Sequence, residues 1–232
     1  MKNVIFEKLN NDIRYKEALT ACMNCGVCTA ICPAAEFYKY DPRTICNIVQ
    51  SNNFDEIEEL LKSETIWYCG QCMSCKTRCP RGNVPGMLIT VLRKISQEMG
   101  YFVNSEKGRQ QLAIKRTVGE HIINAGYCVH PDIVDPDLHP EQGPVWRWFI
   151  NNIDDVSAKM GAVYHKETAG ALRKISNDTL NEIQSIFKVT GGNKLYEQIE
   201  EFSSEKAKDF QANADYDYMI KVYTTDSGEH TR

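Results

Sequence analysis

Two stretches of the sequence decide its fold: Cys22-Met-Asn-Cys25-Gly-Val-Cys28-Thr-Ala-Ile-Cys32-Pro33 and Cys69-Gly-Gln-Cys72-Met-Ser-Cys75-Lys-Thr-Arg-Cys79-Pro80. We call these the first run and the second run. Both follow the spacing C-x₂-C-x₂-C-x₃-C-P, in which the cysteine thiolates bind a cubane [4Fe–4S] cluster. Three cysteines two residues apart can surround three corners of one cube, while the fourth binds the other cluster. The inferred ligand sets are a first set of Cys22, Cys25, Cys28 and Cys79, and a second set of Cys69, Cys72, Cys75 and Cys32.

The overall composition is that of an ordinary globular protein. The chain has 232 residues, of which 42% are hydrophobic and 25% charged, and its formal net charge is −4. Because nucleic-acid binding usually needs a basic patch, we expect no nucleic-acid partner. No stretch approaches the roughly 18 apolar residues of a transmembrane segment, and the N-terminus does not resemble a signal peptide. The sequence therefore predicts a cytoplasmic protein without a transmembrane segment.

The ten cysteines indicate metal binding, since disulfides are rare in the cytoplasm. A Cys₄ zinc site in the second run is an alternative, but zinc requires neither the third cysteine at this spacing nor the following proline. A redox-active C-x-x-C dithiol fits poorly because so many cysteines surround each pair. Cys46 and Cys128 lie outside the runs, and both are predicted to be buried, apolar cysteines. A cluster-related role for Cys46 stays open.

Helix signals lie between the two runs and after them. Asp41 followed by Pro42 predicts a helix with Asp41 as its N-cap. Asn53 predicts a second N-cap, before apolar residues at helical spacing. Further amphipathic helices are predicted after the second run, and one long helix is predicted from Thr168 to Phe187. The sequence as a whole predicts an all-α protein.

The chain divides into two predicted parts. Residues 1–127 form a domain that binds two cubane clusters. Residues 128–232 form a Pro-rich loop and then a helical extension that docks partners, with a polar, mobile tail from Tyr216 onward. His130 and His139 lie in the loop beside aspartates, where a site for a single metal ion is one interpretation and an ordinary surface loop is the favoured one.

An aromatic cluster follows the Pro-rich loop. It consists of Trp146, Trp148 and Phe149. Such a cluster usually anchors a core, although aromatic residues are also enriched at protein interfaces. A core position is the favoured prediction.

The second run also carries more positive charge than the first. Lys76, Arg78 and Arg81 stand where the first run has Thr29, Ile31 and Ala34. Positive charges near the sulfides favour the more negative, reduced state of a cluster. This pattern predicts that the second-run cluster has the higher reduction potential.

The two runs and the helical spacer between them resemble the C subunit of heterodisulfide reductases over residues 15–125. They also resemble, less closely, the C-terminal part of the iron–sulfur subunits of succinate dehydrogenase and fumarate reductase. The resemblance implies an α-helical ferredoxin fold, with all eight cysteines of the runs as cluster ligands. The stretch from Ala171 to Gly192 is similar to the C1 subunit of heterodisulfide-reductase-like complexes of sulfur oxidisers, and methanogen C subunits are expected to be shorter. That similarity implies a role in sulfur oxidation, while the methanogen-type reductase of CoM-S-S-CoB, or another quinone- or flavin-linked oxidoreductase, is the alternative.

The same resemblance implies two partners: a flavin-bearing A subunit, and a B subunit that binds noncubane clusters through C-C-G sequences. This chain contains neither a C-C-G nor a G-x-G-x-x-G sequence. We therefore expect an electron-transfer subunit in which no residue is catalytic. An enzyme with an open iron site is disfavoured because no cysteine ligand is missing. An oxygen-sensing regulator is disfavoured because it would need a basic DNA-binding face.

Overall fold

The computed structural model describes residues 2–136 and 142–228. Within these ranges every regular element is helical and no strand occurs, which confirms the predicted all-α class. None of the helices there combines the length and apolar character that crossing a bilayer requires. The α-helices are α1 Lys2–Asn11, α2 Ile13–Ala18, α3 Val27–Ala30, α4 Ala34–Phe37, α5 Pro42–Gln50, α6 Phe54–Lys62, α7 Pro85–Glu98, α8 Glu106–Arg109, α9 Gln111–Ile114, α10 Glu120–Ala125, α11 Pro144–Asn151, α12 Ile153–Lys159, α13 Asn177–Thr190, α14 Gly192–Asp209 and α15 Tyr216–Thr224. Short 3₁₀ turns form at Thr65–Trp67, Lys76–Arg78, Tyr101–Asn104 and Pro131–Ile133, and a π-helical segment forms at Lys115–Gly119.

Helices α5 and α6 begin where the sequence predicts. The Asp41 carboxylate accepts hydrogen bonds from the backbone N–H groups of Arg43 and Thr44, at the start of α5. The Asn53 side chain accepts one from the N–H of Asp55, at the start of α6. Both caps satisfy N–H groups that a helix start leaves without partners. The two N-cap predictions are confirmed.

Helix α7 is the centre of the core. It follows the second run directly and packs against α1, α2, α5, α6 and α14. Its buried apolar residues are Leu88, Ile89, Val91, Leu92 and Ile95. Full burial of each such side chain contributes about 1.5–3 kcal/mol relative to exposure. The second run is therefore followed by a helix whose apolar side chains form the centre of the core.

Two helix predictions differ from the structure. Helix α1 was not predicted, because its apolar residues are only loosely periodic, yet Ile5 and Leu9 are buried in the core. The single helix predicted from Thr168 to Phe187 is wrong: α13 begins only at Asn177, capped by Ser176. The preceding residues include Gly170 with a φ of 148° and Leu172 with a φ of 61°. An α-helix contains neither value, so the helix cannot extend further back.

The C-terminal segment is also more ordered than predicted. A polar tail from Tyr216 onward is wrong for residues 216–224, which form α15. Its Tyr218, Met219 and Val222 are buried, because they occupy one face of the helix at a spacing of three to four residues. Helix α14 also contributes Ile199 to the same core. The predicted boundary after residue 127 stays a prediction.

The aromatic cluster lies outside the core, so its predicted core position is wrong. Trp148 is 60% exposed and Val145, on the same helix, is 72% exposed. Trp146 and Phe149 are half-buried and stack on each other with ring centroids 4.8 Å apart. Helix α11, which carries all four, packs on the short helix α12. Apolar composition alone therefore did not show which helices reach the core.

Candidate functional site

Four cysteines from the two runs line one cavity, the first site. They are Cys22, Cys25 and Cys28 of the first run together with Cys79 of the second. These are the members of the first set that the cysteine spacing predicts. The second run therefore contributes Cys79 to a site whose other three cysteines belong to the first run.

The remaining four cysteines form a second group, the second site. Burial raises the pKa of the Cys32 thiol, and the nearby thiols of Cys69 and Cys72 raise it further. Burial likewise raises the pKa of the Cys75 thiol, with the same two cysteines adding to the effect. Cys32, although part of the first run, thus lies beside the cysteines of the second run. This grouping matches the second predicted set.

The loops of the two runs share one backbone conformation. At equivalent positions, φ is positive at Asn24 (60°) and Gln71 (53°), and again at Gly26 (80°) and Met73 (59°). The N–H groups of Asn24 and Gln71 each point to the Sγ of the cysteine two residues earlier, at 3.5 and 3.4 Å. Left-handed backbone at these positions curls each loop so that N–H groups face the sulfurs. Donors of this kind stabilise negative charge on cluster sulfur.

Side chains from α5 and from the segment after the second run hold the first loop. The Gln50 amide accepts from the N–H of Cys22 at 2.5 Å and donates to its carbonyl at 3.2 Å. Asn83, only 3% exposed, accepts from the N–H of Thr20 and donates to the carbonyl of Ala21, both at 2.9 Å. The entry to the first loop therefore depends on a residue that follows the second run.

Helix α7 holds the second loop in a similar way. The Arg93 guanidinium donates to the carbonyls of Ile66, Trp67 and Cys69 at 2.7–2.8 Å. The N–H of Gly86 donates to the Cys75 Sγ at 3.4 Å. Because α7 is fully anchored in the core, these bonds fix the second loop to a rigid helix.

Tyr40 contacts the second site from within the core. It is 2% exposed, and its hydroxyl lies beside the Cys69 thiol. Burial raises the pKa of Tyr40 far above its usual value, so the hydroxyl keeps its proton and is able to donate to a nearby sulfur. The Cys32 thiol lies close enough to raise this pKa as well. Sequence analysis missed Tyr40, since nothing in its local sequence marks it.

Comparisons with known proteins agree with this geometry. Residues 18–83 match the family model described as a 4Fe-4S dicluster domain. The chain is 32% identical over 187 residues to the C subunit of the ferredoxin:CoB-CoM heterodisulfide reductase of Methanosarcina acetivorans, a match that covers 80% of this chain and 68% of the relative. The protein belongs to the heterodisulfide reductase C-subunit family. The predicted family and the coarse role, an iron–sulfur electron-transfer subunit, are thereby confirmed.

Two further members of the C-subunit family show how far the likeness extends. The second iron-sulfur C subunit of the CoB–CoM heterodisulfide reductase of Methanocaldococcus jannaschii is 26% identical over 179 residues, covering 77% of each chain. The C subunit of the H₂:CoB-CoM heterodisulfide,ferredoxin reductase of Methanothermobacter marburgensis is 27% identical over 133 residues, covering 54% of this chain and 65% of the relative.

The length of the C-terminal part does not separate this C subunit from the methanogen ones. The match to the Methanosarcina acetivorans relative spans 187 residues, far more than residues 15–125, and covers 68% of that relative. That relative is therefore longer than this chain. The expectation that methanogen C subunits are shorter is therefore wrong for this relative. The length of the C-terminal part is no evidence for a role in sulfur oxidation.

The two cysteines outside the runs differ from each other. Cys46 is 1% exposed, as predicted, and it lines the first site. Burial raises the pKa of its thiol far above the usual value, and cysteines of both sites raise it further. Cys128, in contrast, is exposed, so its predicted burial is wrong. It follows the end of α10, where the chain leaves the core of this C subunit.

The positive charges of the second run lie elsewhere than expected. Arg81 lines the first site, together with Arg43. The turn Lys76–Arg78 packs against α3 of the first run. The assumption that these charges act on the second-run cluster is therefore wrong for Arg81. The predicted order of the two potentials loses this support.

His130, in the Pro-rich loop, belongs to a small polar cluster that includes two residues of the segment between α12 and α13. Its Nδ1 lies 3.3 Å from one oxygen of Asp132, and His165 Nε2 lies 2.9 Å from the other. The Tyr164 hydroxyl donates to Asp132 at 2.7 Å. Across residues 2–136 and 142–228, no three His, Cys, Asp or Glu side chains group to hold a single metal ion. His139, the other predicted histidine, lies outside the described residues.

We expect the His130 cluster to make stability depend on pH. Burial lowers the pKa of His130, and of His121 beside it, despite the opposing charge of Asp132. A lowered pKa favours the neutral form, so the stabilisation is complete above the ordinary pKa of about 6.5 and decreases as the pH falls below it. The melting temperature at pH 5.5, measured by circular dichroism, should fall further below its pH 7.5 value in the wild type than in His130→Asn. An equal fall in both proteins would contradict this prediction.

Proposed function

We propose that this chain relays single electrons through two [4Fe–4S] clusters inside a complex of the heterodisulfide reductase type. Cys22, Cys25, Cys28 and Cys79 would hold the first cluster, and Cys69, Cys72, Cys75 and Cys32 the second. The observation that carries the proposal is the crossed grouping of the runs into two sites of four cysteines each. Four soft thiolates per site suit the iron atoms of a cubane, and each cluster, when bound, supplies a one-electron redox couple.

In this proposal the residues around the two sites hold the clusters and tune their reduction potentials, and they take no part in making or breaking covalent bonds of a substrate. The N–H groups of Asn24, Gln71 and Gly86 donate to cysteine sulfurs, which favours the more negative, reduced state. Cys46 lies close to cysteines of both sites, so the sites are near neighbours. Short separation favours electron transfer between them, because tunnelling weakens steeply with distance.

We further propose two electron partners in the cytoplasm, the flavin-bearing A subunit and the noncubane-cluster B subunit. The family supports a multi-subunit complex, since its members are named as C subunits of reductases. The absence of C-C-G and G-x-G-x-x-G sequences supports placing the flavin and the disulfide chemistry on other chains.

Two reactions are proposed for the complete complex. Oxidation of lipoate-bound sulfur is suggested by the similarity of the stretch Ala171 to Gly192 to the C1 subunits of sulfur oxidisers. Reduction of CoM-S-S-CoB is supported by the names of the relatives, all of which mention the CoB–CoM heterodisulfide. The names of these relatives differ in electron source, ferredoxin in one and H₂ in another, so they support no single donor.

The relay is tested on the chain itself, reconstituted with iron and sulfide under argon. We expect about eight iron and eight sulfide per chain, and EPR signals of two clusters after reduction. The isolated chain should accept and release electrons without turning over CoM-S-S-CoB or lipoate-bound sulfur. About four iron per chain, bound zinc, or turnover by the isolated chain would each contradict the proposal. Assembly with the flavin-bearing and noncubane-cluster partners, followed by assay of both substrates, distinguishes the two reactions.

Replacing Tyr40 by phenylalanine should lower the potential of the second cluster only. The protonated hydroxyl lies beside the Cys69 sulfur, and we expect its donation to that sulfur to be stronger when the cluster carries the extra negative charge. A lost difference of about 1 kcal/mol corresponds to a fall on the order of 40 mV for one electron. An EPR-monitored redox titration measures it. Tyr38→Phe is the control, since Tyr38 stacks on Tyr68 and should leave both potentials unchanged.

A further inference from the structure

One surface of the chain joins exposed apolar side chains to positively charged ones. The turn Lys76–Arg78 packs against α3, which brings parts of the two runs onto one surface. The apolar side chains there are exposed by 38–61%. We call this surface the α3 face, and it consists of Met23, Val27, Ile31, Lys76, Arg78 and Arg81.

The carboxylate that α3 contacts, that of Asp41, is already paired with Arg43 and so does not neutralise the basic side chains of this face. The chain as a whole has a net charge of −4, yet no Asp or Glu occurs from residue 65 to residue 97. Of the basic residues there, Arg93 turns inward to backbone carbonyls, and Lys94 pairs with Asp12 and Glu98. Lys76, Arg78 and Arg81 are exposed and form no ion pair with any residue of the described ranges.

The α3 face also lies over the first site. Cys28 is part of α3, and Cys79 follows the turn directly. Met23, Val27 and Arg81 line the same cavity as the cysteines of the first set. A protein docked on this face would bring its redox centre close to the first site. Electron tunnelling between two redox centres is faster the shorter the distance between them, so this position favours transfer from the first site.

We propose that the α3 face docks a one-electron redox protein with an acidic surface. This proposal rests on the proposed function, because it needs a cluster in the first site. An apolar centre with a charged rim is the usual composition of an interface, and complementary charge speeds encounter. In the transfer step one electron passes from the reduced cluster to the oxidised centre of the partner. No bond forms or breaks, and no proton moves.

The salt dependence of electron transfer tests the charge of the docking face. The loaded chain, reduced under argon, is mixed in a stopped-flow instrument with an acidic or a basic ferricytochrome c, whose haem iron accepts one electron. The second-order rate constant with the acidic cytochrome should fall as ionic strength rises, because salt screens attraction. With the basic cytochrome it should rise. A surface governed by the net charge of −4 would give the opposite signs, and that result would overturn the proposal.

Charge-reversal variants locate the docking face. In K76E/R78E, which leaves the cavity-lining Arg81 in place, the rate constant with the acidic cytochrome should fall about tenfold at low ionic strength. The control K159E/K188E reverses two exposed lysines elsewhere and should stay within about twofold of the wild type. Equal effects of both variants, with the visible cluster spectrum unchanged, would overturn the proposal. Failure of the wild type to reduce either cytochrome would instead contradict the relay itself.

Discussion

Replacing Cys79 by alanine should damage the first cluster and leave the second intact. Although Cys79 belongs to the second run, its side chain lines the first site with Cys22, Cys25 and Cys28. Without a fourth thiolate, one iron of that cube has no protein ligand and is lost easily. We expect the oxidised variant to show the EPR signal of a three-iron cluster, or the iron content to fall from about eight to about four per chain.

A matched set of variants identifies which cluster is affected. Cys32→Ala should remove the second cluster, because Cys32 lies beside Cys69 and Cys72. The EPR signals of the cluster that remains should therefore be the same in Cys79→Ala and Cys25→Ala, which both lose a ligand of the first cluster. They should likewise be the same in Cys32→Ala and Cys72→Ala, which both lose a ligand of the second. The opposite pairing, with Cys79→Ala resembling Cys72→Ala, would show that each run closes its own cluster. It would refute the crossed assignment.

Replacing Arg93 by alanine should cause a large loss of stability. Its guanidinium bonds three carbonyls that lead into the second loop, and it lies near the Trp67 ring. Removing a charged donor leaves buried carbonyls without partners, which costs about 3 kcal/mol or more in the free energy of unfolding. For a chain of this size that corresponds to a fall in melting temperature of roughly 10 °C.

The neighbouring Lys94 provides the control for Arg93. Lys94 is exposed, and its ion pairs with Asp12 and Glu98 are long, at 3.5 and 3.7 Å, so we expect them to contribute about 0–1 kcal/mol. Asp12 is buried, but it keeps its closer partner Arg14 at 2.6 Å. Thermal unfolding of the loaded chain, followed by circular dichroism, should place Lys94→Ala within about 3 °C of the wild type. Arg93→Lys keeps the charge but cannot reach three carbonyls, so it should lose most of the same stability. If Arg93→Ala were as stable as Lys94→Ala, the three hydrogen bonds of Arg93 would not stabilise the second loop, and the prediction would be contradicted.

The parts of the fold with local signals could be predicted from the sequence. The caps at Asp41 and Asn53 act within three residues of themselves, so their partners are visible in the sequence. The spacing of the cysteines likewise predicts which of them meet, because a short loop cannot wrap all four corners of a cube. The two groups found in the structure follow that spacing.

The parts that depend on distant partners could not be predicted. Asn83 bonds residues more than 60 positions earlier, and Tyr40 reaches Cys69 across the core. Each is an ordinary polar residue in its own neighbourhood. The position of α11 shows the same limit, because burial of an apolar face depends on which helix packs against it. Leu172 has a positive φ that nothing in its residue type indicates.

The exchange of residues between the runs has a consequence for how the protein is made. The first loop leaves the ribosome well before Cys79, which lines its site, and Asn83, which fastens residues 20 and 21. At a synthesis rate of about 5–20 residues per second, the time between the synthesis of Cys28 and that of Asn83 is roughly 3–10 s. During translation the first three cysteines are therefore free thiols without a complete pocket. On the proposed ligand assignment, iron and sulfide would be delivered only after both runs have emerged, and the exposed thiols would be open to oxidation in that interval.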